Sequence, residues 1–204
     1  MLIGLGVASY DGGLLDQAVR QLTEACDLDP ANPNPYLFLG KIQDAEKAEP
    51  PEMLDRFKRF AGLQPQNAMA NYYYAAGLAK VSIGDENFNQ IEKLLLNAVS
   101  LDPHLGDAYL HLGILYSLRK DYPSAISAYQ KAIENTTLPA EAHYRLAQVY
   151  RQTGRSEDAQ REIKLYEEIS KKRTEEAERE RHEIGQFVYT LRAQPASAPT
   201  QNPQ

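Results

Sequence analysis

One phrase returns along the chain: Leu28-Asp29-Pro30, Leu63-Gln64-Pro65 and Leu101-Asp102-Pro103, with prolines 35 and 38 residues apart. A second mark runs in step with it. The large-small pairs Leu5-Gly6, Leu39-Gly40, Tyr74-Ala75, Leu112-Gly113 and Leu146-Ala147 follow one another at intervals of 34, 35, 38 and 34 residues. A period of this size describes a unit too small to bury its own apolar face, so neighbouring units must stack. The small residue of each pair lets another helix come close. The proline lacks an N–H and pushes the residue before it out of helical geometry, so it closes a helix.

Between these marks the apolar residues keep helical spacing. In 106–139, Tyr109, Leu112, Gly113 and Tyr116 line a first helix, Lys120-Asp121-Tyr122-Pro123 reads as a turn, and Ala125, Ile126, Tyr129, Ala132 and Ile133 line a second. In 140–168 the same stencil gives His143, Leu146, Ala147 and Tyr150, a turn at Gly154, then Ala159, Ile163 and Tyr166. This pattern resembles the tetratricopeptide repeat (TPR) family over about 1–168, as five units near 1–32, 33–67, 68–105, 106–139 and 140–173. The resemblance implies an all-α fold: a right-handed α-solenoid of antiparallel helix pairs, its concave side lined by the first helices. It also implies surface display rather than chemistry.

The units depart from the pattern in places. The first lacks the start of its first helix and reads as cut from a longer array or as beginning abruptly. Pro50-Pro51 falls in the inter-helix turn of the second. The third is 38 rather than 34 residues long, which predicts a longer first helix or a wider turn near Val81–Asp85. The fifth ends without a proline, so its second helix can continue.

Turning about 100° from the core stripe of each first helix marks the side that faces the hollow. This gives Asn34, Leu37, Phe38, Lys41 and Asp44 in the second unit, and Tyr72, Tyr73, Ala76 and Lys80 in the third. It gives Leu110, His111 and Ile114 in the fourth, and Tyr144, Arg145, Gln148 and Arg151 in the fifth. Three adjacent tyrosines span about 200° of a helix. Tyr74 is therefore assigned to the core, and Tyr72 and Tyr73 to the groove. The expected partner-binding residues are Leu37, Phe38, Lys41, Tyr72, Tyr73, Leu110, His111, Ile114, Tyr144, Arg145 and Gln148. Aromatic side chains and arginines are common interface anchors. The competing reading is that the apolar ones only pack between neighbouring first helices. TPR domains that grip a C-terminal carboxylate use Lys, Asn and Arg at set groove positions. The matching residues here are Ile3, Val7, Leu37, Lys41, Tyr72, Ala76, Leu110 and Ile114, so the resemblance does not extend to such a clamp.

Composition removes other classes of function. Lys and Arg number 22 and Asp and Glu 28, a net charge of −6, which opposes general nucleic-acid binding. Cys26 stands alone and can form neither an internal disulfide nor a thiolate metal site. His104, His111, His143 and His182 show no metal-ligand spacing, and no phosphate loop or nucleophile elbow is present. No cofactor, metal or catalysis is expected. No run of 18 apolar residues exists, so membrane insertion is not expected either.

From Lys171 to Glu183, ten of 13 residues are charged, five of each sign. Then Ile184, Phe187, Val188 and Leu191 recur at helical spacing. The stretch 171–192 reads as a charged and then amphipathic helix. Docking of its patch on the last unit is the first reading; a second copy or a partner is the alternative. The tail 193–204 has no charge and too little apolar surface to order itself. Met1–Ala8 is apolar but lacks the basic residues of a signal segment. The cytoplasm is the default compartment, with a periplasmic or secreted parent left open. The function expected is a protein–protein interaction scaffold that holds a peptide or partner protein in its groove. An accessory module of a larger enzyme or assembly protein, or a homo-oligomerisation module, is the alternative.

Overall fold

The computed structural model describes residues 1–45, 51–81, 85–137 and 139–193, with side chains for 1–44, 53–81, 87–137 and 139–184. Among the described residues the chain is helical throughout, with no strand. The order is α1 (Leu2–Asp11), α2 (Leu15–Leu28), α3 (Pro33–Ala45), α4 (Pro51–Leu63), α5 (Ala68–Val81), α6 (Asp85–Leu101), α7 (Gly106–Leu118), α8 (Tyr122–Glu134), α9 (Ala140–Gln152) and α10 (Ser156–Ala193). The expected extra residues at 82–84 and the tail from 194 onward lie outside the described residues. So do the side chains of Phe187, Val188 and Leu191.

The helix ends follow from local chemistry. α2, α4 and α6 stop at Leu28, Leu63 and Leu101, two residues short of each proline. Gly13 and Gly154 turn the chain with φ of +75° and +76°, where a Cβ would be strained. Two proline expectations need correction. Pro51 opens α4 instead of standing in a turn. Tyr122 and Pro123 belong to the first turn of α8, capped by Asp121, whose side chain accepts from the Ser124 N–H at 3.3 Å. Proline is at home in a first turn, because its missing N–H has no intrahelical partner there. The extra length of the third unit sits mainly in its second helix, α6, at 17 residues against 14 for α5.

Each helix packs on its sequence neighbours, and helices two apart meet at α1/α3, α2/α4, α3/α5 and α7/α9. The result is a solenoid of helix pairs whose core runs almost unbroken from Ala18 to Ala142, with a second cluster around Tyr129, Leu146 and Tyr150. The small residues admit a partner. A Cβ on Gly6 would lie 2.7 Å from Leu22 Cγ of α2, and one on Gly113 would lie 2.4 Å from Tyr129 Cε1 of α8. Gly40 differs. Its absent Cβ leaves room for Tyr73 of α5, whose Cζ would stand only 2.0 Å away. Among the described residues α3 and α4 accordingly meet less than the two helices of any other unit. Large rings span the space, with Tyr36 stacked on Phe60 at 4.4 Å and Phe57 5.5 Å from Tyr73.

α10 is 38 residues long, about 57 Å at 1.5 Å per residue. Its first turns pack on α9 through Ala159 and through the Tyr144–Tyr166 ring pair at 5.3 Å. From 171 to 184 it is exposed apart from the half-buried Ala177. The helix runs to Ala193 without a reversal, and Ile184 is 63% exposed. Of the patch expected at 184–191, Ile184 alone lies among the described side chains, and it is open to solvent. No helix among the described residues is long and apolar enough to cross a membrane.

Candidate partner-binding surface

The first helices α1, α3, α5, α7 and α9 form one wall. Leu37, Phe38, Leu110, His111, Ile114, Arg145 and Gln148 are half-buried there. Leu37, Phe38, Leu110 and Ile114 pack one side on the core and keep another open. Lys41 is exposed, its Nζ 5.4 Å from the centre of the Phe38 ring. Tyr144 is also exposed, and Arg145 pairs with Glu141 at 2.7 Å.

Tyr72 and Tyr73 are not on the open wall. Both are 2% exposed, and Tyr74 is buried with them. The cause is the room beside α3. Tyr73 inserts against Gly40, and Tyr72 packs on Tyr73 at 5.2 Å. α5 is buried from Ala70 to Gly77, so its rings have no solvent side to turn to. One edge of Tyr72 still serves the wall, because its hydroxyl donates to Asp44 Oδ1 at 3.0 Å.

That hydrogen bond belongs to a polar centre shared by α3, α5 and α7. The His111 ring meets the Tyr72 ring edge-on at 5.4 Å, and its Nδ1–H donates to the Asp107 carbonyl at 2.9 Å. Burial pushes the His111 imidazole below its ordinary value, which keeps it neutral, with Nε2 as an acceptor. The carboxyl of Asp44 is pushed up to about 6. Desolvation by the wall raises it most; the Tyr72 hydrogen bond offsets part, and the charge of Asp107 adds to the rise. Lys80, at the end of α5, donates to the Gln43 carbonyl.

A cavity of about 170 Å³ opens between α1 and α3 at the other end of the wall, lined by Val7, Tyr10, Asp11, Leu22, Phe38, Lys41 and Ile42. Sequence reasoning left Asp107, Tyr10 and Asp11 off this wall. Continuing the Leu110–Ile114 face one turn back would have reached Asp107, and the inner face of α1 would have given the other two. Elsewhere, His143 is 8% exposed, its Nδ1 2.6 Å from Glu162 Oε2, and is a packed residue of the core stripe. Burial pushes the Cys26 thiol up to about 12, which leaves it a small apolar side chain. Among the described residues no cluster of His, Cys, Asp and Glu could hold a metal.

Stacked helix pairs with a first-helix wall, and a glycine or alanine at each close approach, are the architecture that the repeat pattern called for. The sequence pattern described as "Tetratricopeptide repeat" matches residues 115–168, from the end of α7 into α10. Over that stretch the chain matches the tetratricopeptide-repeat family. It is 27% identical over 158 residues to "TPR repeat-containing protein YpiA" of Bacillus subtilis (strain 168), which covers 78% of this chain and 36% of that protein. The chain spans about a third or less of the length of the curated relatives it matches. Among solved structures, MamA is 25% identical and superposes with a TM-score of 0.64 over 83% of this chain and 96% of its own. YrrB, described as a TPR protein with an unusual peptide-binding site, is 19% identical with a TM-score of 0.55, covering 82% of this chain and 84% of its own.

Proposed function

We propose that the chain is a binding scaffold that holds a peptide or a segment of a partner protein along its first-helix wall, and that it carries out no catalysis. The observation that carries this is the half-buried state of Leu37, Phe38, Leu110 and Ile114. Each is fixed on one side by the core and open on the other, so a ligand can cover it without ordering it first. Burying a residue of this kind contributes about 1.5–3 kcal/mol. Three or four such contacts support micromolar affinity once the costs of ordering are met. Lys41, His111, Tyr144, Arg145 and Gln148 supply the polar rim. Tyr72 and Tyr73 act from beneath, as the floor that positions it. The peptide-binding site named for YrrB agrees with this use of the fold.

The test is affinity capture with the whole chain as bait, against a Leu110→Glu/Ile114→Glu variant whose melting curve matches wild type. Partners lost from the variant support the wall. Partners held equally by both remove it.

A second reading rests on α10. It projects past the array and carries an exposed Ile184, and two copies could pair through it. Light scattering of the full chain against Ile184→Glu decides this. A dimer that the variant abolishes supports pairing, and a monomer in both ends it.

A further inference from the structure

Two features of the wall specify a ligand more narrowly than a peptide. The first is the cavity between α1 and α3. Val7, Phe38, Leu22 and Ile42 make its walls and floor, while Tyr10, Asp11 and Lys41 stand about its mouth. An apolar cavity of about 150 Å³ holds a benzene ring, so this one, at about 170 Å³, has room for one aromatic or leucine-sized side chain.

The second is the charge of the polar centre. Asp44 of α3 accepts from Tyr72, the charge of Asp107 of α7 reaches both, and neither carboxylate forms an ion pair among the described residues. The hydroxyl of Tyr72 is spent on Asp44, and the one N–H of neutral His111 is spent on a backbone carbonyl. Lys80 donates to the Gln43 carbonyl and sets one positive charge against the two negative ones, so what remains for a ligand is chiefly acceptors: two carboxylates and His111 Nε2. Asp44 also lies in the last turn of α3, where the helix dipole opposes a negative charge. The arrangement calls for a donor that carries positive charge.

We propose, resting on the wall-binding reading above, that the ligand is an extended segment of a partner protein that seats a large apolar side chain in the α1/α3 cavity and a lysine or arginine between Asp44 and Asp107. The two sites are one to two helix spacings apart, each about 8–10 Å. An extended strand rises about 3.3 Å per residue, so about three to six residues separate the two side chains.

The probe is a displayed library of random dodecapeptides selected on the full chain. A fluorescein-labelled peptide from the selection is then titrated by anisotropy. Enriched peptides are expected to place a Phe, Leu, Tyr, Trp or Met about three to six residues from a Lys or Arg. The labelled peptide is expected to bind about tenfold more weakly to Asp44→Asn/Asp107→Asn, with the difference shrinking at high salt. It is expected to lose a similar factor on Val7→Trp, which fills the cavity. Tyr10→Lys, at the exposed mouth, serves as a second variant if Val7→Trp fails to fold. Peptides lost on Leu110→Glu/Ile114→Glu but acidic, or indifferent to the cavity and carboxylate variants, overturn this inference and leave the wall reading standing. Peptides indifferent to every variant, or no enrichment at all, count against both. Concentration-dependent dimerisation abolished by Val7→Trp gives the cavity to a second copy and also overturns the inference.

Discussion

Leu39-Gly40 on α3 and Leu112-Gly113 on α7 are the same two residues at the same point of a first helix, yet they close different seams. Gly113 receives Tyr129 from α8, the second helix of its own pair. Gly40 receives Tyr73 from α5, the first helix of the next unit. The contrast extends one turn further. Ser117 shares a hydrogen bond with Tyr129 at 3.1 Å, whereas Asp44 accepts one from Tyr72 at 3.0 Å. In the α7/α8 pair both contacts stay inside the unit. In the α3/α4 pair both go to the neighbour, and α4 stands off, reached from α3 through Phe60 and from α5 through Phe57. A solenoid's stability is a sum of unit and interface terms. The same glycine signature can therefore feed either term, depending on which neighbour supplies the larger ring.

The largest effect that can break this comparison comes from the rings. Tyr73→Ala and Tyr129→Ala are each expected to cost about 3–5 kcal/mol in denaturant unfolding. Tyr73→Ala should loosen the junction of the second and third units, seen as faster hydrogen exchange in α3 and α5 together. Tyr129→Ala should speed exchange in α7 and α8. Protection lost only within α5 would mean that Tyr73 does not bind the units together.

Next in size are the glycines. Gly40→Ala and Gly113→Ala crowd a buried ring and are expected to cost about 1–3 kcal/mol each. In a Tyr73→Ala background the Gly40 substitution should instead stabilise, by about 0.5–1 kcal/mol, because alanine is the better helix former and the ring has gone. Gly113→Ala should show the same reversal with Tyr129→Ala and none with Tyr73→Ala. A double-mutant cycle in which Gly40 couples to Phe57 and not to Tyr73 would refute the exchange of partners.

The phase of the array could be read before any coordinates. The Leu-x-Pro phrases mark the ends of α2, α4 and α6, and the large-small pairs mark the close approaches. Which helix fills each approach could not be read, because Leu39-Gly40 and Leu112-Gly113 are the same dipeptide. The fate of Tyr72 and Tyr73 was misjudged from angular span alone. A better signal lay nearby: from Ala68 to Ala79 there is no charged residue, and a helix without a polar side is buried all round. Asp107 was missed because the groove face of α7 was begun at Leu110.

Gln43 sharpens the comparison at smaller cost. It occupies the place on α3 that Tyr116 and Tyr150 hold on α7 and α9. It is 1% exposed, its Nε2 donates to the Tyr73 carbonyl at 3.2 Å, and its Oε1 is buried with no partner among the described residues. A buried acceptor left unpaired is costly, and the Tyr73 carbonyl lies inside α5, where the helix ladder already engages it. Gln43→Leu is therefore expected to be neutral or to stabilise by about 1 kcal/mol in urea unfolding. A loss above that size would make the amide a necessary tie between α3 and α5.

The smallest effect is the pH response of Asp44. Its carboxyl is raised from an ordinary 3.8 to about 6, so between those values the folded chain binds more protons than the unfolded one. Stability then falls as pH climbs through that window, and the penalty is fully present above it. The groups that set it are Tyr72 and Lys80 of α5, which favour the charge, and Asp107 of α7, which opposes it, beneath the larger burden of desolvation. Asp44→Asn keeps an oxygen for the Tyr72 hydroxyl and cannot ionise. Its melting temperature should match wild type well below pH 3.8, where the acid is neutral in both states, and exceed it at pH 8. The exposed edge of Asp44 screens the effect, which holds it within about 1 kcal/mol. If acid does not bring wild type and variant together, the end of α3 is open to water. The polar centre would then not be held against α5, and the resemblance of Asp44 to Ser117 as a partner-bound position would fail at its weakest link.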